Sequence, residues 1–265
     1  MDKGRGILRD LNINYIQSVD RAIDILNAFS AEKPALTIDE VMKITELTRA
    51  TAYRLLYTME RRGLIRYDTA AYQYRLGLKM LDYGYQLTSS LDIVKEAEDI
   101  LTGLHVKTQQ TVLMVLIEDE QLVYVFKKEK EEGLKYSSSV GQRRSLFYGV
   151  LGRVALAYLP EERIAKLLSG PIPKETPHTV TDKQQMLEQL AEIRRTGICV
   201  EVNETTLGVT AIGAPIYDAK KNVVAATGII CPSIQLSEDQ LQQFKEMLRK
   251  AAADISGRLG YISAG

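Results

Sequence analysis

The residues of this chain best suited to chemistry stand on one side of a short helical segment: Arg49, Ala50, Thr51, Tyr53, Arg54, Tyr57 and Thr58. Ala52, Leu55, Leu56 and Met59 recur at helical spacing and make the buried face, so these seven form the outer one. A solvated face ordinarily mixes Glu with Lys, whereas this one has no acid before Glu60. Guanidinium, hydroxyl and phenol groups beside a small alanine suit close approach to phosphates and base edges. Arg49 and Arg54 are candidates for base or phosphate contact, and Thr48 and Thr51 for hydrogen bonds to either. Tyr53 suits a phosphate or a thymine methyl, with Tyr57 one turn further along the same face.

Such a helix has to be held out by a frame, and the flanking sequence supplies one. Thr37 with Glu40 three residues on is a capping-box start, and Ile38, Val41 and Met42 give the helix it opens an apolar stripe. Glu46 and Leu47 fall in a turn, and Thr48 is the N-cap of the next helix. Gly63 ends that helix as a left-handed cap. Leu64 to Tyr67 and Tyr72 to Leu76 then alternate like strands around Asp68-Thr69-Ala70-Ala71, a hairpin wing in which Arg75 meets phosphate. Ser18 caps an earlier helix running to about Phe29, with Val19, Ile23, Leu26 and Phe29 inward and Arg21 outward. Ser18, Arg21 and Thr37 complete the set expected at DNA.

Charge agrees with this reading. From Thr48 to Lys79 there are seven Lys or Arg (Arg49, Arg54, Arg61, Arg62, Arg66, Arg75, Lys79) against two acids, Glu60 and Asp68. A positive patch on one small module is the footprint of a duplex-binding surface. The formal net charge of the whole chain is +0, because the remainder is slightly acidic. Two cysteines, Cys199 and Cys231, in 265 residues fit a reducing cytoplasm rather than a disulfide framework. No stretch has the apolar length of a membrane span, and the N-terminus lacks the apolar core of a signal peptide.

Residues 1–15 read as a disordered arm, 16–77 as a winged helix-turn-helix, 78–92 as a linker helix and 93–265 as a second domain. The linker period runs through Leu78, Leu81 and Tyr85, breaks near Thr88-Ser89-Ser90, and resumes from Ile93 to Leu104. From Thr111 the period changes to that of strands: 112–117 and 122–126 about the turn from Glu118 to Gln121, a third strand from Lys135 to Val140, then 198–202, 209–217 and a nearly continuous apolar 223–231, hence central. Helices are expected from about Arg153 to Leu159, over 160–168, over 182–196 behind a Thr181 cap with Leu187, Leu190 and Ile193 inward, and from a Ser237/Gln240 capping box to Leu259. The fold class is therefore α+β: a winged helix, a linker, and an antiparallel sheet with helices against it.

No catalytic constellation stands out. His105 lies near a helix end and His178 in a proline-rich loop, the two cysteines sit on strands, and no Cys/His spacing suits a zinc finger. The loop Gly149-Val150-Leu151-Gly152 lacks the Lys-Ser/Thr of a P-loop. Neither catalysis, a cofactor nor a metal is expected. An enzyme working through His178 or His105, and a module that binds only other proteins, are the rival readings; the basic helix face separates both from DNA binding.

In several places the chain resembles the IclR-type bacterial transcription regulators. The similar stretches are Leu47-Thr48-Arg49-Ala50-Thr51-Ala52-Tyr53-Arg54-Leu55-Leu56, Tyr74-Arg75-Leu76-Gly77, Val140-Gly141-Gln142-Arg143, Leu190-Ala191-Glu192-Ile193-Arg194 and Ala211-Ile212-Gly213-Ala214-Pro215-Ile216. The resemblance implies a C-terminal GAF- or profilin-like domain that binds a small effector, and homodimers on a pseudo-palindromic double-stranded operator, often paired into tetramers. It also implies control of metabolic operons, commonly for degrading organic acids or aromatic compounds. The effector residues it implies are Met114, Leu146, Tyr148, Val150, Leu151, Glu201, Asn203, Glu204, Gly228 and Ile230. Val150 and Leu151 replace the small or hydroxyl residues usual there, and Gly228 and Ile230 replace serines, which implies a more apolar ligand or a pocket partly filled by its own side chains. Glu46 stands where the family often has Gly, which raises the question of the backbone angle in that turn.

Overall fold

The computed structural model divides into two compact units, with the boundary after residue 90. Residues 16–90, 92–130 and 138–262 are described, with only the backbone of 87–90. The expected arm 1–15 and residues 135–137 of the expected strand Lys135–Val140 lie outside them.

The first unit runs α1 (Gln17–Asn27), β1 (Ala35–Leu36), α2 (Ile38–Thr45), α3 (Arg49–Arg61), β2 (Ile65–Asp68), β3 (Gln73–Leu76) and α4 (Lys79–Ser90). The capping box at α2 is present, with Glu40 N donating to Thr37 Oγ1 at 3.3 Å and Thr37 N to Glu40 Oε2 at 2.9 Å. Those bonds from Thr37 hold the Glu40 carboxyl below its usual range. Glu46 takes the left-handed conformation, φ 56°, to end α2, so the turn is made at the modest steric cost of a side chain in that region. Thr48 caps α3. After α3, Gly63 at φ 74° lets its own N–H reach Glu60 O and that of Leu64 reach Met59 O. A Cβ on Gly77 would lie 2.0 Å from Gly63 O, so the wing exit is tied to the end of α3 at a contact only glycine permits. The three strands pair in the order β1-β3-β2, with Ala35 and Leu36 opposite Arg75 and Tyr74.

Two readings of α1 need correction. Ile16, not Ser18, is the N-cap, without a side-chain bond. The buried side is Ile25 and Phe29 with Ala22 and Leu26 packed against the core, while Val19 and Ile23 are 54% and 49% exposed. The helix carries two apolar stripes, and only one meets α2 and α3.

The second unit begins with α5 (Asp92–Thr108), β4 (Thr111–Glu118), β5 (Gln121–Lys128), β6 (Arg143–Ser145) and α6 (Gly149–Ala157). It continues with α7 (Glu161–Leu168), α8 (Lys183–Thr196), β7 (Cys199–Val202), β8 (Val209–Tyr217), β9 (Val223–Pro232) and α9 (Glu238–Arg258). The sheet order is β6-β5-β4-β9-β8-β7, all neighbours antiparallel, which puts the apolar β9 in the middle as its sequence required. Asp119 and Glu120, at φ 48° and 61°, make the two-residue turn between β4 and β5. One sheet face packs on α6, α7 and α8, the other on α5 and α9.

Three boundaries move. Among the described residues the strand beside β5 is β6, later in the chain than the expected third strand Lys135–Val140. Gly149, at φ 70°, turns the chain directly into α6, four residues before the expected start at Arg153. Asp182 rather than Thr181 caps α8, accepting from Gln185 N at 2.8 Å, and Met186 rather than Leu187 faces inward.

Candidate nucleic-acid interface and effector site

On α3 the division of faces is that of the spacing. Ala52 and Leu56 are fully buried and Met59 nearly so, while Arg49, Ala50, Tyr53, Arg54 and Tyr57 are exposed and Thr51 half-buried. Burying Leu56 in a closed core contributes roughly 1.5–3 kcal/mol, which anchors the helix from behind and leaves its outer face free. Thr48 and Thr51 share a hydrogen bond at 3.0 Å, and Thr51 N donates to Thr48 Oγ1 at 3.5 Å. Arg49 donates to Asp39 on α2 at 2.7 Å, an exposed pair that a phosphate can replace. Tyr57 accepts a bond from Arg61 at 3.5 Å. Thr37 spends its hydroxyl on the capping box and so positions α2. Ser18, Arg21, Thr51 and Arg54 line one groove of about 900 Å³ between α1 and α3, so four of the expected residues share a concave surface.

In the wing, Arg75 is half-buried and Arg66 exposed, and the two are cross-strand partners. Like charges placed directly opposite destabilise a sheet, so the pair is understandable where a polyanion lies across it. Sequence reasoning counted Arg66 toward the patch without placing it at the interface; reading the register of the two strands would have done so.

In the second unit, α6 lies across one sheet face. Leu146, Val150, Leu151, Glu201, Gly228 and Ile230 gather beneath and beside it. A Cβ on Gly228 would come 3.0 Å from Leu151 Cδ2, so Leu151 fills the space above that glycine. Tyr148 is the N-cap of α6, without a side-chain bond, and the Arg144 guanidinium sits 4.6 Å from its ring centroid. Asn203, at φ 62°, accepts from Gly208 N at 2.7 Å and shapes the loop after β7. Met114 is a correction: it packs on the opposite face, with α5 and α9, apart from the other nine.

The residue missed is Arg153. It is 3% exposed inside an otherwise apolar helix and donates to both carboxylate oxygens of Glu204, at 2.9 and 2.6 Å. Its NH2 is 3.9 Å from Glu201 Oε2, and both Arg153 Nε and Glu201 Oε2 are buried without a hydrogen-bond partner. Burial pulls the guanidinium toward its neutral form, but the hydrogen bonds it donates to Glu204 and the nearby acids win, so its pKa is raised. Burial raises that of Glu201 against the pull of Arg153, and pushes the Cys199 thiol up to about 12. Glu204 is held on its other side as well: its backbone O accepts from Thr176 Oγ1 at 3.0 Å and Thr179 Oγ1 at 2.6 Å, and its carboxylate from Val180 N at 3.3 Å. An arginine alone in the sequence GVLGRVALA signals a buried acid elsewhere in the chain.

The histidines do not join this cluster. His105 Nδ1 lies 2.7 Å from Gln110 O, and His178 is exposed in its loop. Among the described residues no helix is long and apolar enough to cross a membrane, and no group of His, Cys, Asp and Glu is placed to hold a metal ion.

Comparison with known proteins agrees with both units. Residues 18–69 match the model of the IclR helix-turn-helix domain, and residues 85–257 that of the C-terminal domain of the bacterial transcriptional regulator IclR. The HTH-type transcriptional regulator XynR of Escherichia coli is 30% identical over 93% of this chain and 98% of its own. A crystal structure of a transcriptional regulator from Rhodococcus is 29% identical, with a TM-score of 0.84 over 92% of this chain and 98% of that one. An IclR homolog from Microbacterium hydrocarbonoxydans, solved with 4-hydroxybenzoate, shares the fold with a TM-score of 0.82 at 22% identity, over 91% of this chain and 98% of that one.

Proposed function

Because the chain belongs to the IclR family of bacterial transcriptional regulators, and so is a DNA-binding regulator rather than an enzyme, we propose that it acts as a homodimer on an operator of two related half-sites. A small organic acid or aromatic metabolite bound in the C-terminal unit sets its occupancy. The observation that carries the DNA half is the outer face of α3, exposed and free of acids from Arg49 to Met59. In this reading α3 enters the major groove, with Arg49, Ala50, Tyr53, Arg54 and Tyr57 toward bases and backbone. Thr48 and Thr51 lie at its leading end. Ser18 and Arg21 border the same groove of the protein, and the wing places Arg66 and Arg75 on phosphates.

Two features support a dimer. Ile16 at the N-cap of α1 with Val19 and Ile23 along it, and Leu78 just before α4 with Leu81 and Tyr85 along it, are large apolar residues left exposed at helical spacing. Apolar stripes of this kind mark protein contacts. The domain division is that of the sequence reading: winged helix to residue 77, linker to 92, effector unit beyond. The site of action is the cytoplasm, where the operator is.

For the effector, the face under α6 supplies Leu146, Tyr148, Val150, Leu151, Gly228 and Ile230 as apolar walls, with Glu201, Asn203 and Glu204 at the polar end. The relative solved with 4-hydroxybenzoate shares the fold and makes aromatic acids the first compounds to try. Genomic fragments retained by the purified protein and sequenced, followed by anisotropy titrations on the site they share, test the DNA reading. Recovery of no common site would end it. A melting screen of small carboxylates and phenols tests the effector reading, since a ligand that prefers the native state raises its melting point.

A further inference from the structure

The guanidinium of Arg153 on α6 is buried, and its present partner Glu204 comes from a loop. Glu204 leaves β7 in the segment 203–208, where Leu207 and Gly208 are exposed. Arg153 is on a helix whose every residue is buried. If Glu204 departs, Arg153 cannot follow it into water, and an uncompensated buried charge is strongly destabilising. If another carboxylate arrives, the paired geometry at Arg153 is restored, and Glu204 moves to solvent, where a carboxylate is stable. The exchange is therefore open from the acceptor side and closed from the donor side.

Resting on the effector reading above, we propose that Glu204 is a built-in stand-in for the carboxylate of the effector: it occupies the seat on Arg153 in the unliganded protein and an incoming small carboxylate displaces it. The displacement has a defined consequence. Val180 N, in the loop before α8, donates to the Glu204 carboxylate, so the departure of that carboxylate frees the amide, while the bonds from Thr176 and Thr179 go to the backbone O of Glu204 and stay with the main chain. Arg153 Nε, which is buried without a partner, is a further donor that Glu204 does not use and that an arriving carboxylate can. A ligand that holds Arg153 with Glu204 turned away prefers that arrangement of the loop after β7 and so shifts the conformational equilibrium toward it.

The test is chemical rescue in the full-length protein, with sodium acetate as the probe and sodium chloride at equal ionic strength as the control. Glu204→Ala melts below the wild type, acetate raises its melting point saturably by several degrees, and the apparent acetate affinity is at least tenfold that of the wild type. Glu204→Ala/Arg153→Met shows no acetate-specific rise. Should Glu204→Ala fail to fold, Glu204→Gln, which keeps the shape and removes the charge, gives the same readout. Acetate acting no differently from chloride, or acting equally on the double variant, overturns the proposal. Operator binding measured on the same samples keeps the two readings apart: salt-dependent binding without acetate rescue removes the stand-in and leaves the regulator.

Discussion

Arg66 on β2 stands directly across from Arg75 on β3, and among the described residues neither has a carboxylate in ion-pair contact. The arrangement costs the isolated sheet a little through repulsion and is repaid when phosphates lie over the wing. Arg66→Ala and Arg75→Ala should each weaken binding to specific and random DNA alike. Each should also lower the slope of log K against log salt by about 1, with the melting point unchanged or slightly higher. Anisotropy titrations at four sodium chloride concentrations read this directly. An unchanged slope removes the wing from the interface.

Arg54 differs, because it is exposed on α3 and lines the groove between α1 and α3 with Arg21 and Thr51. Arg54→Ala should cost roughly 1–3 kcal/mol of operator affinity, the scale of one good side-chain contact to a base, while affinity for random DNA changes less. Size-exclusion chromatography should show the same oligomer as the wild type. Equal losses on operator and random DNA would reassign Arg54 to the backbone.

Local signals in the sequence survived folding, and long-range ones did not. The Thr37/Glu40 box, the Thr48 cap and the Gly63 stop each involve residues within four or five positions, so their geometry is written in adjacent letters. The buried face of α1 was misread because Val19 and Ile23 are as apolar as Ile25 and Phe29, and only the position of α3 decides between the stripes. Met114 was put on the wrong face for a related reason. In Val112-Leu113-Met114-Val115 both faces are buried, so the alternation that fixes a strand's parity is missing. Arg153 and Glu204 are 51 residues apart, and no local pattern joins them.

The exposed stripe on α1 makes its own prediction. Ile23→Glu places a charge among Ile16 and Val19 on a face that the core does not use, so the monomer should fold with little loss of stability. Light scattering should show a shift from dimer to monomer, and operator affinity should fall at least tenfold, because a single half-site remains. A variant that stays dimeric would leave α1 outside the interface.

The two thiols should be inert in the folded state. Burial raises Cys199 to about 12 and Cys231 to about 11, and both side chains are enclosed. At pH 8 the thiolate fraction of Cys199 is then on the order of 10⁻⁴. Ellman's reagent should report no fast thiol in native protein and two after denaturation. Rapid labelling of either before unfolding would mean that the sheet opens near β7 or β9.

Glu201 gives the pH dependence its sign. Burial raises its folded pKa above the usual 4.5, so between those two values the native state holds a proton that the unfolded chain has released. Stability from this group is therefore complete below about pH 4.5 and is lost as pH rises through the folded value. Glu201→Gln keeps the shape beside Arg153, whose charge Glu204 still balances, and removes that titration. Relative to wild type, the variant should gain melting temperature as pH rises above about 4.5, until the folded carboxyl of Glu201 has ionised. Carboxylates whose pKa is lowered, such as Asp99 and Asp218, slope the other way but are common to both proteins and cancel in the difference. Parallel melting curves across that range would mean that Glu201 is fully ionised in the fold and that its buried oxygen finds a partner in solution.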